Sequence, residues 1–111
     1  MRKNLTSMLR KIITLQQPTL LDDNLGGQIE QWQDLITVRA QVQALYDKAS
    51  GETFIAMQLI DNSFYRFRIR FMPELKSNMR IEYNNRYFQI KRIINQDELN
   101  VVSEIIAQEN L

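Results

Sequence analysis

The chain contains no cysteine and no histidine. Without cysteine there are no disulfides, no thiolate nucleophiles and none of the zinc sites that need sulfur ligands. Without histidine the chain lacks the side chain that most often moves protons near neutral pH. The two absences together disfavour nucleophilic and acid–base catalysis, and the chain reads as a non-enzyme with no cofactor. Glycine occurs three times and proline twice, too sparsely for a flexible linker, and there is no internal repeat or low-complexity tract. No apolar run approaches the roughly 20 residues that a membrane-spanning helix needs. Arg10 and Lys11 interrupt the N-terminal region before a signal-peptide core can form, so synthesis and folding in the cytoplasm, with no membrane partner, is the expectation. Charge of one sign is also missing. Lys and Arg total 14 against 13 Asp and Glu, a net charge of +1, which gives no global attraction to polyanions; any nucleic-acid contact must be local.

What is present is an ordinary globular composition. The 111 residues, 44% hydrophobic and 24% charged, suit one domain spanning residues 1–111 and leave no room for a second core. Residues 1–8 are polar and weakly patterned, so a mobile N-terminal arm or a short helical turn is expected there. From Leu9 to Leu15 a partly amphipathic alternation predicts a first strand ending at Pro18. The Asp22-Asp23-Asn24-Leu25-Gly26-Gly27 cluster predicts a hairpin loop. Beyond it, residues 28–34 carry Ile29 and Trp32, and Val38, Ala40, Val42 and Ala44 alternate with polar neighbours, a clear strand. Trp32 is expected in the core, as large aromatics beside a strand usually are.

Residues 47–51 break the pattern, and residues 52–60 are apolar nearly all round, which fits a short helix or a long loop near residues 50–60. Tyr65, Phe67, Ile69 and Phe71 then alternate with Phe64, Arg66, Arg68 and Arg70, predicting a central strand up to Pro73. Met79, Ile81 and Tyr83 alternate with Arg80 and Glu82; Asn84-Asn85 supplies a two-residue turn, and residues 87–94 return as the partner strand. After a turn at residues 95–98, Leu99, Val101, Ser103 and Ile105 suggest a closing strand, although Val102 and Ile106 also allow a helix. The sum is a mainly β chain, a small barrel or sandwich of about six strands.

The order of landmarks resembles that of the phage head-tail joining family, also described as head closure, stopper or head-tail adaptor proteins. The matching residues are Leu9-Arg10 with Ile12 and Leu15-Gln16, the Gly-bearing turn, Trp32, and Val38-Arg39-Ala40 with Val42. Further along are Glu52, Ile69-Arg70-Phe71, Met79-Arg80-Ile81 with Tyr83, and Arg86-Tyr87-Phe88 with Ile90. Each is weak alone; in order they cover roughly residues 9–100. The chain departs from the pattern at Tyr65, where the family often carries histidine. The resemblance implies a structural virion protein of a tailed phage or prophage. It would form a ring of identical copies between portal and tail, with portal or adaptor proteins and tail proteins as partners, phage DNA passing nearby, and assembly in the host cytoplasm.

Three groups of residues bear on such a role. Arg66, Arg68 and Arg70 project to one face of their strand, successive guanidinium groups about 7 Å apart. That stripe can meet an acidic surface of a neighbouring subunit, meet DNA phosphates, or remain a solvated face. Phe54, Met57 and Leu59 belong to a segment too apolar to face water: extra core, a portal or subunit docking patch, or a loop that reorders on assembly. Asp22-Asp23 reads as turn chemistry, since adjacent carboxylates in a Gly-bearing loop lack the geometry of a metal or catalytic pair. The alternative to a connector is a small β-barrel binding single-stranded nucleic acid through the arginine stripe, which the position of the aromatics on the opposite face disfavours.

Overall fold

The computed structural model describes residues 5–45 and 63–110. The described elements are α1 (Leu5–Met8), β1 (Lys11–Asp22), β2 (Gln28–Ala44), β3 (Phe64–Arg70), β4 (Arg80–Tyr83), β5 (Arg86–Asn95), a 3-10 turn at Gln96–Glu98, and β6 (Val102–Glu109). The expected helix or loop near residues 50–60, with Phe54, Met57 and Leu59, lies outside the described residues, as do the first four residues of the expected N-terminal arm.

All pairings are antiparallel in the order β1-β2-β3-β6-β5-β4, and β4 pairs back onto β1 at Thr14, Leu15 and Gln16 to close a barrel. Period-2 alternation builds the core directly. Ile13 and Leu15 from β1, Ala40 from β2, Phe67 and Ile69 from β3, Ile81 from β4, Phe88 and Ile90 from β5, and Ile105 and Ala107 from β6 all point inward and are buried. The last strand is therefore β, with Ser103 as a buried polar residue of its inward row; its hydroxyl accepts the Met72 backbone N–H at 3.0 Å. At the centre, Phe67 and Phe88 meet edge to face with centroids 5.0 Å apart, and Tyr83 meets Phe67 in the same manner.

The turns follow the sequence closely. Asn84 and Asn85 both take positive φ, 52° and 61°, the backbone of a type I′ hairpin that matches strand twist. In the first hairpin loop Asp23 Oδ1 accepts the backbone N–H groups of Leu25 and Gly27 at 2.8 Å each, which holds its carboxyl below the ordinary aspartate range. A Cβ at Gly27 would lie 2.6 Å from Asp23 Oδ2, so a side chain there would displace the carboxylate that wraps the loop.

Two expectations are corrected. β1 does not stop at Pro18 but runs through it to Asp22, with Pro18 opposite Trp32. Since β4 engages β1 only as far as Gln16, Pro18 lies where one edge of the strand is free, and a residue without an N–H is tolerated there. Trp32 is not in the barrel core. It is half-buried, on the long β1–β2 hairpin, because a register shift between Leu15 and Gln16 carries the hairpin away from the barrel wall.

Candidate functional site

Past that shift, residues 17–33 form a two-stranded arm. Five residue steps from Gln17 to Asp22 extend it by about 17 Å, in keeping with a molecule 56 Å long and only 35 by 25 Å across. The arm exposes large apolar side chains: Leu25 at its tip is 90% accessible, Leu20 63%, and Leu21 and Ile29 are also exposed. Leu20 pairs with Glu30 on one face and Leu21 with Ile29 on the other. Both backbone edges of the arm are unpaired among the described residues, since β2 meets β3 only at Gln41, Val42, Gln43 and Ala44. Exposed apolar side chains and open edges are what monomeric proteins avoid.

The arm is locked at its root by Arg80. Its guanidinium stacks between Trp32 and Tyr87, with centroids at 4.4 and 4.1 Å, and its Nε donates to Gln16 Oε1 at 2.6 Å. Gln16, only 8% exposed, in turn donates from Nε2 to Asp34 Oδ1 at 2.7 Å. Desolvation between the rings lowers the Arg80 pKa from its ordinary value. A second arginine, Arg86, makes two 2.8 Å hydrogen bonds to the Glu109 carboxylate and one of 2.7 Å to the Tyr65 hydroxyl. Those bonds raise the arginine's pKa and hold Glu109 below the ordinary glutamate range. Tyr65, the departure from the family pattern, thus has a partner that suits a hydroxyl.

The arginine stripe lies on the outer face of β3, as its alternation requires, but it is largely paired. Glu104 on β6, directly opposite Arg68, lies 2.5 Å from Arg66 and 3.5 Å from Arg68. Gln43 and Gln41 on β2 accept from Arg66 and Arg68 at 3.1 Å. Arg70 differs: it is exposed, and among the described residues it donates a hydrogen bond of 2.8 Å to Thr6 of α1. Sequence reasoning missed Glu104 as the stripe's counter-ion, because the register that sets it across from Arg68 spans 36 residues.

Beside Arg70, where β2 departs from β3, a groove of about 320 Å³ opens. It is lined by Leu9, Ile36, Val38, Arg39, Ile69, Arg70, Phe71 and Met72. Leu9 and Ile69 are buried, and Arg39 and Arg70 stand exposed. No group of three or more His, Cys, Asp or Glu side chains is placed to hold a metal among the described residues, nor is any described helix long and apolar enough to cross a membrane.

The structure thus defines a small closed antiparallel barrel carrying a hairpin arm with exposed apolar side chains. Residues 5–110 match the family model of the phage head completion protein, and the chain belongs to that family. It is a structural component of the virion, a head-tail connector of the head closure kind. The same fold occurs in the solution structure of a protein from Shigella flexneri 2a, with a TM-score of 0.72, 23% identity, and coverage of 96% of this chain and 97% of that one. It also occurs in a chain of the virion of a native gene transfer agent particle, with a TM-score of 0.64, 18% identity, and coverage of 92% and 96%. No curated protein matches the chain in sequence.

Proposed function

We propose that identical copies of this chain close into a ring between portal and tail, where they seal the packaged head and offer the tail its docking surface. The observation that carries this reading is the family match across residues 5–110. A projecting arm with exposed leucines and unpaired edges supports it, because a closed ring covers surfaces that a monomer leaves open. In this reading portal or adaptor proteins meet one side of the ring and tail proteins the other, DNA passes through without base-specific contact, and assembly takes place in the host cytoplasm. The role is geometric and not enzymatic, in keeping with a chain without His or Cys. Phe54, Met57 and Leu59 remain the proposed docking patch for portal or a neighbouring copy.

The test is the mass of the purified protein by light scattering across concentration, alone and with its cognate portal, beside a labelled oligonucleotide. A ring, or copies captured by the portal without oligonucleotide binding, is the expected result. A monomer that ignores the portal and binds the oligonucleotide would instead establish a single-strand-binding barrel.

A further inference from the structure

We infer that the β1–β2 arm of one copy docks into the β2/β3 groove of the next, a head-to-tail contact that deepens the ring reading and rests on it. Charge complementarity identifies the occupant. From Gln17 through Gln33 the arm carries Asp22, Asp23 and Glu30 and not one Lys or Arg, so it is uniformly acidic. The groove is rimmed by exposed Arg39 and Arg70, while Leu9, Val38, Ile69 and Phe71 supply an apolar lining. An arm that presents Leu25 at its tip and Leu20 beside Glu30 fits an apolar slot between guanidinium groups.

Intramolecular closure is not the source of this match. Residues 17–33 leave the barrel as a hairpin paired only to itself, and the groove lies at the barrel's own wall. The two surfaces are different patches of one molecule, so the contact is heterologous: it repeats from copy to copy and closes when the rotation permits. It also gives Arg70 a partner role that Arg66 and Arg68, both held by Glu104, do not share.

The experiment uses two charge reversals in the full chain, D22K/E30K in the arm and R39E/R70E in the groove, with circular dichroism to establish that each folds. Sedimentation velocity then reads association, alone and on the cognate portal. Each variant alone is expected to self-associate at least about tenfold more weakly than the natural chain, as like charges meet. Mixed, they are expected to recover higher oligomers of alternating copies, because the natural arm meets the natural groove and the reversed arm meets the reversed groove. The fourfold variant, with both signs exchanged, is expected to recover higher oligomers. Folded single-surface variants that form rings as well as the natural chain would overturn the arm-in-groove contact and leave the connector reading standing. A natural chain that neither self-associates nor binds portal would overturn both. Should D22K/E30K disturb the tip, Leu25→Asp probes the same contact, since that side chain is 90% exposed in the isolated fold.

Discussion

Arg80 lies 4.4 Å over the ring of Trp32, and this contact ties the root of the projecting arm to the closed barrel. Its other face is covered by Tyr87, and Gln16 takes its Nε hydrogen. Replacing Arg80 with Ala removes the stack and leaves the buried Gln16 carbonyl without a donor, for an expected loss of about 1–3 kcal/mol. Lysine restores charge without the planar fork and is expected to recover less than half of that loss. Trp32 is the one tryptophan, so its emission reports the site directly: R80A should shift it to the red at temperatures where far-ultraviolet dichroism still shows a folded barrel. Unchanged emission would mean that the stack does not hold the arm.

The centre of the barrel should be much less tolerant. Phe67 is fully buried and touches both Phe88 and Tyr83. Phe67→Ala is expected to cost about 3–5 kcal/mol, a large part of the stability of a domain this size. Urea denaturation checks it through a lowered midpoint, and Phe67→Leu should fall between the two.

Glu109 is held below the ordinary glutamate range by Arg86. Its folded form therefore binds a proton less readily than its unfolded form, and the bridge contributes stability above the unfolded value of about 4.5. That contribution is lost as pH falls through the lower folded value. Thermal stability is expected to be flat from neutral pH to about pH 5 and to decline below it. E109Q should lie about 1–2 kcal/mol lower at pH 7 and converge on the natural chain toward pH 3. Parallel curves at all pH values would refute the assignment.

Asn85 sits at φ 61° in the β4–β5 turn. A β-branched residue there meets its own carbonyl, and Asn85→Val is expected to destabilise by about 1–2 kcal/mol. Asn85→Gly should be neutral or slightly stabilising, because the Asn-Gly pair suits a type I′ turn. Midpoints from thermal melts of the two variants check the opposite directions.

The strands of the barrel were legible because alternation is a local property: the side chains of Phe67 and Ile69 must face away from those of Arg66 and Arg68 whatever the rest of the chain does. The same holds for the turns at Asp23 and at Asn84-Asn85, where only a few neighbouring residues decide the backbone. The sequence alone also determined that Arg66, Arg68 and Arg70 share a face, that His and Cys chemistry is absent, and that the arm residues carry no positive charge. Tertiary structure decided what those features meet. Glu104 neutralises the stripe only because β6 lies beside β3, Trp32 leaves the core because of a register shift at Gln16, and Arg39 and Arg70 come to flank one groove because β2 parts from β3. Each depends on pairing between segments far apart in the chain. Side-chain periodicity contains no information about such pairing, which closure of the barrel alone selects.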